Sequence, residues 1–243
     1  MAVADSPGAL YFRDIGAGPV LVFVHGLGVS SRYFVPLMRE LSGTFRCVAP
    51  DLPGHGRSPG PALDIDGLAA ALNGFLHAHG LRSVTLVANS LGCQVVAALV
   101  ERHPGSVTSM VFIAPTIDPA TRDHFWRSLL AASVREPLPL LPILVWDYLR
   151  FGLRRFIKTS RYALADDIAI RLPHLHLPAL IVQGARDHIV TVPWAASVAA
   201  GLPLGELAVI ADGAHAVHFS RPAVVAALVT SFHSRIERSS TSP

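Results

Sequence analysis

The chain has 243 residues, 51% of them hydrophobic and 15% charged, with a formal net charge of +3. That supplies enough apolar residues for one sizeable core, too many for a disordered chain, and too little basic excess for a nucleic-acid track. Mean hydropathy is +0.45, yet no stretch approaches the roughly 18–20 uninterrupted apolar residues of a membrane span: the most apolar, Pro137 to Trp146, is short and broken by Pro137, Pro139 and Pro142.

Met1 to Pro7 shows no basic segment followed by an apolar one, so no signal peptide is expected. Leu10 to Ile15 reads as a short strand, closed by the turn Gly16-Ala-Gly-Pro19. Pro19 to His25 holds the continuous run Val-Leu-Val-Phe-Val, the pattern of a strand buried on both faces, and it ends in His25-Gly-Leu-Gly28. Ser30 to Leu41 has helical spacing, with Ser30 or Ser31 as N-cap. Phe45 to Pro50 is the next strand. It runs into Asp51-Leu-Pro-Gly-His-Gly-Arg-Ser58, a tight turn in which His55 is expected to be structural. Asp64 to His79 is helical, with Asp64 placed to cap it.

Val84 to Ala88 is an apolar strand, Leu91 to Arg102 a helix, and Ser90 stands between them in Ala88-Asn-Ser-Leu-Gly92. A serine on so sharp a strand-to-helix turn needs small neighbours, because strand and helix pass close by. The turn presents the hydroxyl at the end of a sheet and aims the next N–H, that of Leu91, at any oxyanion formed there. Val107 to Ala114 is another apolar strand. From Asp118 to about Leu172 no strong strand appears, and Phe125, Trp126, Trp146, Tyr148, Phe151 and Phe156 fall in helical, proline-broken segments. The alternation then resumes. Ala179 to Gly184 is a strand ending in Ala185-Arg-Asp-His188, Pro193 to Ala200 a helix, and Glu206 to Ala211 a strand leading to Asp212-Gly-Ala-His215. A last helix starts near Pro222, and the tail from Arg235 is expected to fray. Strands alternating with helices argue for a parallel sheet covered on both faces. Cys47 and Cys93 read as buried thiols, which fits a reduced, cytoplasmic setting.

The serine turn, the His25-Gly-Leu-Gly28 loop and the Asp51 to Ser58 loop together resemble the α/β-hydrolase family. The family's Gly-x-Ser-x-Gly appears here with alanine, Ala88, in place of the first glycine. The resemblance implies an α/β fold with a mostly parallel central sheet and helices on both faces, residues 1–117 and 173–243 forming the core and 118–172 a helical lid. It implies a triad of Ser90, Asp187 and His215 in the family's order. The N–H groups of Leu27 and Leu91 would form the oxyanion hole, with His25, Gly26 and Gly28 as the supporting loop. Asn89, Trp126 and Trp146 are expected to line the substrate pocket. Asp118 and His218 are the substitutes weighed for the acid and the base.

Serine is a poor nucleophile near neutral pH and needs a base. Histidine can take its proton and return it to a leaving group, while a buried carboxylate fixes the imidazole tautomer. The resulting expectation is a serine hydrolase acting on a small-to-medium apolar ester, thioester or lactone, without cofactor or metal. His174 and His176 lack a third ligand at metal spacing. The alternative is a carbon–carbon bond hydrolase of the meta-cleavage type, suggested by Asn89 before the serine and by Arg154, Arg155 and Lys158 in the lid. A third reading is a non-catalytic binding protein on the same scaffold. A haloalkane dehalogenase would need a carboxylate in place of Ser90. The expected partner is a small apolar molecule, with no nucleic acid and no stable membrane insertion. The basic run Arg150 to Arg161 is expected to be a solvated helix face.

Overall fold

A computed structural model describes residues 10–124, 127 and 136–241. Seven strands build one sheet: β1 (Phe12–Ile15), β2 (Val20–Val24), β3 (Arg46–Pro50), β4 (Val84–Asn89), β5 (Val107–Ile113), β6 (Ala179–Gly184) and β7 (Gly205–Ile210). Their order across the sheet is β1-β3-β2-β4-β5-β6-β7. Only β1 runs antiparallel, with Phe12 opposite Pro50 and Ile15 opposite Cys47; every other pairing is parallel.

The apolar runs are continuous because successive side chains enter two different cores. Leu21 and Phe23 of β2, with Leu180 and Val182 of β6, pack under α1 (Val35–Leu41), the one-turn α8 (Val217–Ser220) and α9 (Pro222–Thr241). Val22 and Val24, with Ala179 and Ile181, pack under α2 (Ile65–Ala78), α3 (Leu91–Arg102) and α7 (Val192–Gly201). Burying one such leucine or phenylalanine side chain contributes roughly 1.5–3 kcal/mol. Register then aligns the carboxyl ends. Val24 pairs with Ala88, Asn89 with Ile113, Ile113 with Val182, and Gly184 with Ile210, so five strands release their loops along one edge.

Asp64 caps α2 as expected, its Oδ1 accepting from the Gly67 N–H at 2.8 Å. Ser30 does not cap. A single 3-10 turn, Ser31–Phe34, precedes α1, and Pro36 in its first turn fits a helix starting at Val35. The Ser30 hydroxyl instead donates to Asp147 Oδ2, 2.6 Å away. The C-terminal tail is also more ordered than expected: α9 continues through Arg235 to Thr241, and Arg235 reaches Glu206 on β7 at 2.5 Å.

Among the described residues no strand interrupts the stretch between β5 and β6. It contains α4 (Leu141–Phe151), α5 (Leu153–Ala165) and α6 (Ile168–Arg171). Gly152 joins α4 to α5 at φ 78°, a backbone conformation that glycine adopts without strain. Three ties among several fasten this helical insert to the core. One is the Ser30–Asp147 bond. The second is Gln94 of α3, whose amide donates to Ala163 O at 2.9 Å and Asp166 Oδ2 at 3.0 Å. The third is contact of Tyr148 and Phe156 with Gly28, where an added Cβ would lie 2.7 Å from the tyrosine ring.

Candidate active site

Ser90 is the hinge between β4 and α3. Its φ of 56° and ψ of −124° lie where a non-glycine residue is strained. The surroundings hold it there: its N–H donates to Ile113 O at 3.0 Å, and the Cys93 N–H donates back to its carbonyl at 2.9 Å. The small neighbours are needed. A Cβ on Gly92 would lie 2.3 Å from Val24 O and 2.9 Å from His25 O, and one on Gly26 would lie 3.2 Å from Ser90 Cβ. The loop after β2 is therefore pressed against the serine turn. Leu91 opens α3, so its N–H has no acceptor within the helix.

Asp187 and His215 come from the loops after β6 and β7. His215 Nδ1–H donates to Asp187 Oδ2 at 2.8 Å. Asp187 Oδ1 accepts from the N–H groups of Ile189 (2.7 Å) and Val190 (3.1 Å), and the Gln183 amide reaches Oδ2 at 3.3 Å. Burial pushes the Asp187 pKa up, but the imidazole and these donors outweigh it and leave the carboxylate below its usual range. For His215, burial pulls the pKa down, while the charge and hydrogen bond of Asp187, with Glu136, lift it above 6.5. A carboxylate so anchored fixes Nδ1 as the protonated nitrogen and leaves Nε2 as the basic one. Among the described residues, the Ser90 hydroxyl makes no direct hydrogen bond to this imidazole; nucleophile–base contacts are often longer before substrate binds.

Sequences of the alpha/beta hydrolase fold match residues 19–134. The architecture superposes on a thermophilic esterase from Thermogutta terrifontis with a TM-score of 0.81, at 20% identity and 93% of each chain. Est816, described as an N-acyl homoserine lactone degrading enzyme, gives a TM-score of 0.78 at 25% identity, covering 92% of this chain and 96% of that one. The chain belongs to the α/β-hydrolase fold family. A putative carbamate hydrolase, RutD, of Yersinia enterocolitica is 28% identical to this α/β hydrolase over 239 residues, 86% of each chain.

The substitutes weighed for acid and base are spent elsewhere in this hydrolase. Asp118 accepts from the Ala120 N–H (2.8 Å) and the Thr191 N–H (2.9 Å), bracing the loop that carries Asp187. His218 is fully buried between Tyr33 and Phe34, at ring distances of 4.4 and 4.6 Å, and neither of its nitrogens has a hydrogen-bond partner among the described residues. Burial, with His215 nearby, holds its pKa down at about 3.

His25 braces the loop after β2. Its Nε2 accepts from the Leu52 N–H at 2.9 Å, so Nδ1 carries the proton and donates to Gly26 O at 2.9 Å. His55 is buried against Phe151, ring to ring at 4.3 Å, and its Nδ1–H donates to Pro53 O, a structural role as expected.

Two of the three residues expected in the pocket fall within the described chain. Asn89 is buried at the sheet edge, its amide donating to Ile113 O at 3.1 Å, so it locks β4 to β5. Trp146 is 52% exposed and lines a cavity of about 170 Å3 with Arg13, Arg57 and Arg150. Trp126 lies outside the described residues. Arg154, Arg155 and Lys158 are exposed on the helical insert.

Sequence reasoning missed Glu136. Its Oε1 accepts from the Ala216 N–H at 3.0 Å, while Oε2 is buried with no partner among the described residues. Burial raises its pKa, against the pull of His215 and the Ala216 N–H. The available signal was a lone acid bordering the most apolar stretch of the chain. Around it, Val29, Tyr33, Leu140, Leu144 and Ala216 form an apolar cluster joining the helical insert to the residue after His215.

Proposed function

We propose that this α/β hydrolase is a serine hydrolase that cleaves a small-to-medium apolar carboxylic ester, thioester or lactone through an acyl-enzyme on Ser90. The observation that carries the reading is the strained Ser90 turn on the same sheet edge as the bonded Asp187–His215 pair. The serine oxygen attacks the carbonyl carbon as His215 Nε2 takes its proton. The N–H groups of Leu27 and Leu91 stabilise the oxyanion. The imidazolium then protonates the leaving oxygen or sulfur, and the carbonyl reforms as an ester to Ser90. Water, deprotonated by His215, attacks that ester, and the proton returns to Ser90 as the acid leaves.

The preference for an apolar acyl group follows from the aromatic roof that Tyr148 and Phe156 place over Gly28, and from the apolar cluster beside His215. The lactone-degrading activity named for Est816 agrees with that range. The carbamate activity named for RutD makes a carbamate the informative third substrate class, because it presents the same carbonyl to the same serine.

The test is a panel of p-nitrophenyl esters, thioesters, acyl lactones and carbamates, with labelling by a fluorophosphonate. Wild type should turn over at least the short esters and take one label per chain. Ser90→Ala should lose both by about 10³-fold or more, with an unchanged circular dichroism spectrum. Full turnover by the folded Ser90→Ala protein would remove Ser90 as nucleophile. An unlabelled, inactive wild type would favour a binding protein on this scaffold.

A further inference from the structure

Two faces of the helical insert are unlike the rest of the surface. On α4, Val145 and Leu149 are 58% and 75% exposed; on α5, Leu153 and Ile157 are 74% and 44% exposed. The two pairs sit at i, i+4 spacing, so each helix presents an apolar ridge. Val145, Leu149, Leu153, Tyr148 and Phe156 line one open, almost wholly apolar hollow of about 510 Å3. Soluble proteins seldom expose a contiguous apolar patch of this kind without a partner for it.

The charges beside the ridge are all of one sign. Arg150, Arg154, Arg155, Lys158 and Arg161 are exposed, and none of them is ion-paired among the described residues; Arg150 and Arg155 donate to Gly56 O at 3.1 Å and Gly54 O at 3.4 Å, which leaves Arg154, Lys158 and Arg161 for an outside partner. From residue 136 to 165 the only acids are Glu136 and Asp147, both buried. Arg154 and Lys158 stand one helical step from Leu153 and Ile157, so a cationic ridge runs alongside the apolar one. On α4 the next ridge is Trp146 and Arg150, and these two enter the neighbouring cavity with Arg13, Arg32 and Arg57. Buried Asp51 and Asp147 also line that cavity. Their carboxylates already accept from Ser31 N–H, Arg57 N–H and the Ser30 hydroxyl, leaving four guanidinium groups around one opening.

We infer that the outer face of α4 and α5 docks on an anionic lipid surface. The apolar ridge enters the headgroup boundary, Trp146 lies at its level, and the cations pair with lipid phosphates. Self-association through the same patch is disfavoured by charge: two copies would bring like-charged faces together, with no exposed acid between residues 136 and 165 to offset them. The contact is peripheral, since α4 and α5 have 11 and 13 residues, short of the roughly 20 that span a bilayer.

The experiment is flotation of the full chain with vesicles of phosphatidylcholine alone, or of equal parts phosphatidylcholine and phosphatidylglycerol, at low salt and at about 0.15 M. Binding should require phosphatidylglycerol and weaken with salt. Leu149→Glu with Leu153→Glu, and separately Arg154→Glu with Lys158→Glu, should each weaken it by roughly tenfold or more. Turnover of a water-soluble short ester should stay at the wild-type level in both double variants, which shows that they are folded. Three results overturn the inference: wild type that does not float with anionic vesicles; equal binding to phosphatidylcholine alone; or a dimer in sedimentation equilibrium that the Leu149→Glu, Leu153→Glu pair dissolves, which assigns the face to a second copy. Flotation and sedimentation do not depend on the identity of the hydrolysed substrate, and circular dichroism reports folding of the variants independently of the proposed ester turnover.

Discussion

His215 has a carboxylate on either side of it. Asp187 holds Nδ1, and Glu136 holds the N–H of the next residue while acting on the imidazole through its charge. Both raise the imidazole pKa against the effect of burial. A base must be neutral to accept the serine proton, so the acid limb of kcat/KM should lie above the usual histidine value of 6.5. Glu136→Gln keeps an oxygen for the Ala216 N–H but removes the charge, so the limb should move to lower pH while most activity at alkaline pH remains. A pH profile of kcat/KM on a short fluorogenic ester reads this directly. An unmoved limb would show that Glu136 shapes the loop without acting on the charge of His215.

The elements converge through close backbone approaches, and those approaches set what each loop tolerates. Gly184 ends β6, where an added Cβ would sit 2.5 Å from both Gly213 O and Ala214 O. Its obstacle is backbone, which cannot rotate aside, so Gly184→Ala must displace the loop carrying His215. The expected result is a fall in kcat of about tenfold or more, with a stability loss of about 1–3 kcal/mol; denaturant titration and turnover of the same preparation separate the two. Much of this was legible in the sequence. Strands buried on both faces read as continuous apolar runs, and Ser90 stood out because Ala88 and Gly92, two positions to either side, are small. The helical insert was harder to read because its leucines divide between Leu144, 7% exposed, and Leu149, 75% exposed, and periodicity alone does not say which ridge meets the sheet. Ser30 was misread because a hydroxyl that fits an N-cap fits a distant carboxylate equally well, and Asp147 lies 117 residues away.

Across the whole molecule, buried histidines make stability depend on pH in a definite direction. Burial lowers the pKa of His25, His55 and His218 in the folded chain, in the last case to about 3. Once unfolded, each titrates near 6.5. Below that value the unfolded chain takes up protons that the folded chain refuses, so stability falls as pH falls, by up to about 1.4 kcal/mol per pH unit for each such histidine. His215 acts in the opposite sense: its raised pKa gives a contribution present below 6.5 and lost as pH rises through the folded value. Asp187, with its lowered pKa, contributes above the usual carboxylate range and loses that contribution only as pH falls through its folded value, below the histidine window. Between pH 6.5 and 4.5 the His215 contribution is already complete, so the three buried histidines set the slope, offset in part by Glu136, Asp147 and Asp166, whose pKa values burial raises; the melting temperature should drop over that interval. His218→Phe retains the ring between Tyr33 and Phe34 and removes the titration. Its melting temperature should therefore fall less over that interval than that of wild type, by one histidine's share. Taking the difference between two pH values cancels any packing change common to both. Equal falls in the two proteins would mean that the His218 imidazole is protonated in the folded chain, and that its seat between two aromatic rings is wetter than the structure shows.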